Sequence, residues 1–167
     1  VFYAVVNDPL KFTTTDMVAL LLHEGQPGHH FHMALQQELN IPRFRRFFWY
    51  DAFGEGWALY AESLGKELGV YDDPYDYLGR LQMELHRAIR LVVDTGLHSK
   101  GWTREQTIRY IMETEGSQEP NARRATERYM AWPGQALSYK VGELKIIELR
   151  ERARSALGSK FDIKLFH

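Results

Sequence analysis

The chain has 167 residues, of which 44% are hydrophobic and 13% aromatic, which suits one domain with a sizeable core. A formal net charge of -1 gives no indication of nucleic-acid binding or of polybasic membrane binding, and no apolar run approaches the roughly 20 residues that span a bilayer. The absence of cysteine excludes disulfides, thiolate nucleophiles and cysteine-type zinc sites. Any metal must therefore be held by His, Asp or Glu.

Both ends of the sequence have the character of cuts through a longer protein. The chain opens on "VFYAVVNDPL" without an initiator methionine, and it ends on "GSKFDIKLFH" without a clear stop signal. We therefore expect residues 1–167 to form a single helical domain that is a fragment of a longer protein. The segment "VFYAVV" is the best strand candidate, either as an edge strand or as an extended entry segment.

The first predicted helices flank a proline. "TTTDMVALLLHE" begins with residues that suit an N-cap and continues as an apolar run, which Pro27-Gly28 interrupts. "HHFHMALQQELN" then resumes helical spacing and ends at Asn40. "RFRRFFWYDAFGEGWALYAESLGKELG" predicts one long helix with a glycine stop.

The later segments are also typical of helices. "DPYDYLGRLQMELHRAIRLVVDTGLHSKG" starts with Asp73 as a cap and Pro74 at the first helical position. "TREQTIRYIMETEG" has the capping-box spacing in Thr103 and Gln106, and two further helical segments follow, "EPNARRATERYMAW" and "PGQALSYKVGELKIIELRERARSALG". The prediction is a mainly α fold of about six or seven helices with little or no strand.

The segment "LLLHEGQPGHHFH" begins like the zinc-peptidase helix H-E-x-x-H, in which two His bind one metal and the Glu takes a proton from water. His23 and Glu24 fill the first two places, but Pro27 occupies the place of the second His, and the next candidates are His29 and His30. On a straight helix His23 and His30 would lie roughly 10 Å apart, which is too far for one zinc ion.

Pro27-Gly28 makes a bent arrangement possible, because proline interrupts the helical ladder and glycine accepts unusual dihedral angles. A bulge or a helix restart there would return a later His to the side of His23. The alternative is that the histidines are ordinary surface or core residues and that Pro-Gly is an ordinary turn between helices.

"FGEGWALYAESLG" offers a third ligand in Glu55, which lies between Gly54 and Gly56 in an otherwise bulky apolar run. A lone buried carboxylate is costly unless it is paired or bound to metal, and small neighbours allow a close approach. Glu62 follows two helical turns later on the same face and is a candidate acceptor for a ligand His. The alternative is a solvent-facing Glu55 beside helix-packing glycines.

These residues together resemble the bacterial family labelled domain of unknown function 885, which is regarded as related to the H-E-x-x-H zinc peptidases. The hallmark of that family is H-E-x-x-P-G-H followed by E-G-W-x-x-Y-x-E, and both motifs are present here. "RAIRLVVDTGLHSKGWTREQ" and "PGQALSYKVGELKIIELR" are similar to its later blocks, so that the resemblance runs from about Asn7 to Phe166.

The resemblance implies a zincin-like, zinc-dependent peptidase domain with Zn²⁺ held by His23, His29 and Glu55. His30 stays as the alternative second ligand, because the family is less strict at that position. His32 is a departure, since family members often have Gln there. The longer family proteins also imply that an N-terminal part of the same protein forms the other wall of the cleft.

Two further positions are candidates for stabilising an oxyanion. In "RAIRLVVDTGLH" the spacing allows Arg90 to pair with Asp94 and Asp94 to pair with His98, which would orient His98 toward substrate. Tyr139 follows "PG" on a predicted helix, and such a hydroxyl is a common oxyanion donor in zinc peptidases. The alternatives are a buried structural pair for Asp94 and His98, and a core aromatic for Tyr139.

The prediction for function is a zinc metallopeptidase that hydrolyses a peptide substrate, with Glu24 as general base and Tyr139 or His98 as oxyanion donor. Two alternatives stay open: a non-catalytic metal-binding or scaffold domain with a relic site, and a metal-dependent hydrolase of a non-peptide amide or ester. Three arginines have side chains that could hold a substrate carboxylate: Arg123, Arg124 and Arg128. For at least two of them, a position on a solvent-exposed helix face is favoured instead. The sequence gives no indication of the compartment.

Overall fold

The computed structural model describes residues 14–167, so the strand candidate "VFYAVV" lies outside the described residues. Within residues 14–167 the secondary structure is helical, without strands, which confirms the mainly α prediction. Seven α-helices there have eight or more residues, in agreement with the expected number, and α3 and α9 are shorter. In chain order the helices are α1 Met17–Glu24, α2 His29–Glu38, α3 Arg43–Phe47, α4 Asp51–Leu68, α5 Pro74–Ser99, α6 Arg104–Glu115, α7 Glu119–Ala131, α8 Ser138–Leu157 and α9 Ile163–Phe166.

The helix starts follow the capping chemistry of the sequence in two of three cases. The Asp73 side chain accepts a hydrogen bond from the backbone N–H of Tyr75 at the start of α5. Thr103 and Gln106 form the complete capping box of α6. At α1 the N-cap residue is Asp16, but its side chain makes no capping hydrogen bond.

The single long helix predicted over "RFRRFFWYDAFGEGWALYAESLGKELG" is wrong, because the chain is extended between α3 and α4. The indole N–H of Trp49 donates to the Asp51 carboxylate over 2.6 Å. The Trp49 ring then lies against Gly54, where an added Cβ would come within 2.2 Å of it. The Trp49 ring occupies the space that a side chain at position 54 would take. The turn before α4 therefore requires glycine at this position in the first part of α4.

Two glycines let α4 and α8 cross in close contact. A Cβ added at Gly56 would lie 2.4 Å from the Cα of Gly142, and one added at Gly142 would lie 1.8 Å from the carbonyl oxygen of Ala52. A side chain at either position would force the helices apart. This crossing brings the first turn of α8, with Tyr139, next to the part of α4 that carries Glu55.

Helices α6 and α7 form a separate apolar core with α5. Ile89 and Val93 of α5 pack with Ile111 of α6 and Tyr129 of α7. Among the helices of residues 14–167, none is both long and apolar enough to cross a membrane. The α5–α6–α7 core gives α5 a fixed position, from which its other face contacts α1, α4 and α8.

Candidate metal centre

The bend at Pro27-Gly28 brings His29 beside His23. The Gln26-Pro27 peptide bond is cis. Gly28 then packs directly on the end of α1, where an added Cβ would lie 1.9 Å from the carbonyl oxygen of His23. As α2 restarts, the two imidazole rings meet edge to face with their centroids 4.7 Å apart. His30, by contrast, is exposed to solvent.

Glu55 of α4 completes a cluster with these two histidines. Its Oε2 atom lies 3.3 Å from Nε2 of His29 and 3.9 Å from Nε2 of His23, and one donor atom from each residue lies within 4.8 Å of the others. Bonds of about 2.0–2.1 Å in a tetrahedral zinc site place neighbouring donor atoms roughly 3.4 Å apart. The donor types are those that bind zinc, and the Glu55–His29 distance is close to this spacing, whereas the Glu55–His23 distance of 3.9 Å is longer.

His23 is also held from behind by Glu62. Nδ1–H of His23 donates to Glu62 Oε1 over 2.7 Å, and both side chains are almost completely buried. Glu55 and Glu62 are seven residues apart, or roughly 10 Å along α4, so that they reach the imidazole from opposite sides. Because the carboxylate accepts at Nδ1, the lone pair of a neutral His23 is on Nε2, toward Glu55 and His29.

The charge state of Glu55 suits a ligand. Burial alone raises the pKa of this carboxyl group, but the hydrogen bond and charge of His29, with smaller effects from Tyr139 and His23, hold the pKa below its usual range. The side chains of Glu55 and His29 are 13% and 16% exposed, whereas that of His23 is 4% exposed. Glu55 is thus ionised at neutral pH, and Glu55 and His29 are the more exposed members of the cluster.

Tyr139 packs next to the cluster. Its ring stacks on that of His23 with a centroid distance of 6.3 Å and an angle of 19° between the planes. Nε2 of Gln135 lies 3.4 Å both from Glu55 Oε1 and from the Tyr139 hydroxyl. Gln135 was not among the predicted site residues. A glutamine after Pro133-Gly134 belongs to no local sequence pattern that indicates a functional role.

Asp94 and His98 do not form the predicted pair, and His98 is directed to α7 rather than to the cluster. Both carboxylate oxygens of Asp94 accept from the backbone N–H of Gly134, at 3.1 and 3.3 Å. Nε2–H of His98 donates to the carbonyl oxygen of Tyr129, and Arg90 donates to the Tyr129 hydroxyl rather than to Asp94. Asp94 thereby fixes the turn that leads into Gln135, which is an indirect contribution to the site.

Glu24 is the last residue of α1 and is partly exposed beside His23. Glu24 directly follows His23 in the chain, at the bend, and its role as general base stays a prediction. The arginines for which solvation was favoured are all exposed: Arg123, Arg124 and Arg128. Arg123 forms an ion pair with Glu119 on the same helix face.

An apolar pocket of about 370 Å³ lies beside α2, one helical turn beyond the cluster residue His29. Its wall includes His32, which is buried and whose two ring nitrogens have no hydrogen-bond partner among the described residues. Burial lowers the pKa of His32, which keeps the ring neutral at neutral pH. Trp49 stands between the pocket and the cluster, with its ring 5.4 Å from that of His29 and 6.2 Å from that of His32.

Comparison with known proteins identifies the family. Residues 1–167 match the family described as "Bacterial protein of unknown function (DUF885)", and the chain belongs to this family. No curated protein sequence matches it. Two solved structures, both called putative lipoproteins, are similar. The one from Colwellia psychrerythraea has 52% identity and a TM-score of 0.93 over 97% of this chain. The other, of unknown function, from Shewanella oneidensis, has 29% identity and a TM-score of 0.81 over 90% of this chain. The match spans 28% of the length of each of those two chains.

Proposed function

We propose that this member of the DUF885 family is a zinc-dependent peptide hydrolase. The observation that carries the proposal is the arrangement of His23, His29 and Glu55, which offer three possible metal-ligand atoms within 4.8 Å of one another. Glu62 behind His23 supports it, because a carboxylate on the far nitrogen is the usual partner of a metal-binding imidazole. Three protein ligands are typical of catalytic zinc sites, which keep a fourth position open.

The chain's own residues suit the steps of peptide hydrolysis. A zinc ion in this site would supply Lewis acidity toward water and toward the scissile carbonyl group. Glu24 would take the proton from the attacking water and pass it to the leaving amine. The Tyr139 hydroxyl, beside Glu55, would donate a hydrogen bond to the oxyanion of the tetrahedral intermediate. His98 has no part in this proposal, because its Nε2–H is engaged with the end of α7.

The surface of α3 and of the residues just before α4 suggests how the cleft is completed. Phe44, Phe47 and Tyr50 are 66%, 68% and 56% exposed, which is unusual for three aromatic side chains so close together. The two similar solved structures contain much additional chain. We propose that a further part of a longer polypeptide packs on this surface and forms the opposite wall of the substrate cleft.

The test compares Glu24→Gln with wild type in the full-length gene product. Zinc content is measured by elemental analysis, and hydrolysis is measured on a mixture of peptides by mass spectrometry. We expect about one zinc ion per chain in both proteins and a rate at least about 100-fold lower in the variant. Glu38→Gln, an exposed change at the end of α2, is the matched control and should keep the wild-type rate.

Two outcomes would overturn the proposal, and a third would replace the proposed substrate class. Peptide hydrolysis by zinc-loaded Glu24→Gln at the wild-type rate would exclude the catalytic assignment. A protein without stoichiometric zinc, with a melting temperature that a chelator does not lower, would instead indicate a non-catalytic domain. Activity on esters or non-peptide amides, but on no peptide, would retain the metal chemistry and replace the substrate class.

A further inference from the structure

Gln135 is a buried amide between the metal-ligand cluster and the proposed oxyanion donor. Its side chain is 7% exposed, and its Nε2 atom lies 3.4 Å both from Glu55 Oε1 and from the hydroxyl oxygen of Tyr139. An amide NH2 group carries two protons, so this nitrogen can donate to both oxygens at once. Gln135 therefore joins a proposed metal ligand to the proposed oxyanion donor.

The chemistry of Glu55 determines which end of the Gln135 amide faces the site. A carboxylate offers only acceptor atoms, so an amide oxygen in the place of Nε2 would bring two acceptors into contact. The reverse orientation of the amide is therefore unfavourable, and its NH2 group faces Glu55 and Tyr139. Since the hydroxyl oxygen of Tyr139 accepts from this group, the hydroxyl proton is left to donate to another acceptor.

The two carboxylate oxygens of Glu55 face different neighbours. Oε1 is the atom beside Gln135, whereas Oε2 lies 3.3 Å from Nε2 of His29 and 3.9 Å from Nε2 of His23. A donor on Oε1 therefore fixes the rotation of the carboxylate, with Oε2 on the side of the histidines. Carboxylates that bind metals are typically hydrogen-bonded in turn by such neighbours.

The backbone around Gln135 is fixed on both sides. Before it, the N–H of Gly134 donates to the carboxylate of Asp94, and the φ angle of Gly134 is 83°, which favours glycine. After it, Ala136 is buried in the α5–α6–α7 core. A short 3-10 helix, Gln135–Leu137, then leads directly into α8. The Gln135 side chain thus starts from a fixed point, which suits a group that orients its neighbours.

We propose that Gln135 is a positioning residue of the metal centre. Its NH2 group holds Glu55 with Oε2 toward the histidines, and it holds the Tyr139 hydroxyl with its proton directed to the oxyanion of the substrate. The proposal rests on the proposed function, in which Glu55 is a zinc ligand and Tyr139 an oxyanion donor. It assigns to Gln135 no contact with substrate and no proton transfer.

The kinetic test uses Gln135→Met in the full-length gene product saturated with zinc, because methionine has a similar length but no N–H donor. We expect kcat to fall about ten-fold with KM close to that of wild type, since the lost contact acts on the transition state rather than on substrate binding. Gln118→Met is the matched control, because Gln118 is exposed and makes no side-chain capping bond to α7. An unchanged kcat in Gln135→Met would overturn the proposal, as would a change in KM alone.

A double-mutant cycle separates positioning of Tyr139 from a general effect on folding. If Gln135 acts on the rate through the Tyr139 hydroxyl, Gln135→Met in a Tyr139→Phe background should lower kcat by less than about two-fold further. Effects of the two substitutions that multiply would contradict the proposal, since independent contributions do not pass through one hydroxyl group.

Zinc-free crystal structures of the wild-type and Gln135→Met proteins keep the test independent of the proposed function. We expect Glu55 and the Tyr139 hydroxyl to occupy one conformer beside Gln135 in the wild type, and to be displaced or in several conformers in the variant. Unchanged positions of both groups in the variant would refute the positioning role, whether or not the protein hydrolyses peptides.

Displaced groups in a protein without peptidase activity would support the positioning role and refute the proposed function alone. If Gln135→Met does not fold, Gln135→Ala removes the same donor and is compared with wild type in the same way.

Discussion

Glu62→Gln isolates the contribution of one buried charge to the metal centre. The substitution replaces a carboxylate at zero exposure by an amide of nearly the same volume, which can still accept the 2.7 Å hydrogen bond from Nδ1 of His23. What is lost is the full negative charge behind the imidazole. Hydrogen bonds to ionised groups are about twice as strong as neutral ones, and loss of such a partner typically weakens metal binding about 10- to 100-fold. This corresponds to about 1.4–2.8 kcal/mol of zinc-binding free energy.

The assay is a chelator competition at fixed pH, together with thermal unfolding of the zinc-free protein. Removal of an incompletely paired buried charge by an isosteric neutral group need not destabilise the apo-protein, so its melting temperature should stay close to that of wild type. For the zinc measurement Glu67→Gln is the control, because Glu67 also lies on α4 but forms its ion pair with Arg150. A zinc dissociation constant of Glu62→Gln within two-fold of wild type would refute the role of this charge.

Two further predictions follow from the geometry of α2 and from the Glu67 pair. His29→Ala should abolish stoichiometric zinc binding, whereas His30→Ala, an exposed neighbour, should leave the zinc dissociation constant unchanged, and elemental analysis after dialysis distinguishes the two. The hydrogen bond from Arg150 lowers the pKa of Glu67 from 4.5, so the pair stabilises the fold above about pH 4.5 and loses this effect as the pH falls through the depressed value. Glu67→Gln should therefore cost up to about 1 kcal/mol of unfolding free energy near pH 7 and almost nothing near pH 2; a cost that is independent of pH would contradict the assignment.

The helices could be predicted because their signals are local. Asp73 before a proline and the Thr103–Gln106 capping box satisfy backbone N–H groups within one turn, so no distant residue is needed to recognise them. The break before α4 could not be found in this way. Apolar spacing runs through Phe48–Tyr50 without interruption, and the chain leaves the helix because the Trp49 ring packs on Gly54. That contact joins residues close in sequence, but it depends on the Trp49 side chain folding back onto α4, which the periodicity of apolar residues does not show.

The contacts of His23 with Glu55 and Glu62 could be anticipated because the spacing of residues along a helix fixes the distances between them. Glu55 and Glu62 are seven residues apart, and this separation allows them to reach the same imidazole from two sides. The choice between His29 and His30 depended instead on how the chain turns at Gly28, which accepts the close approach to the end of α1. The spacing of residues on a straight helix therefore could not show which of the two histidines lies beside His23.

Helix spacing shows which residues share a face, but it does not show what that face meets. Arg90, Asp94 and His98 share a face of α5, and pairing among them was a sound expectation from spacing alone. In the folded chain each of them meets a partner from another element, and Asp94 accepts from Gly134, 40 residues away. A buried carboxylate gains more from a backbone N–H that would otherwise be unpaired than from a neighbour that already has acceptors. The polar residues of α5 therefore connect α5 to α7 and to the turn before Tyr139. Through that turn, a helix that supplies none of the proposed ligands helps to determine where the Tyr139 hydroxyl lies.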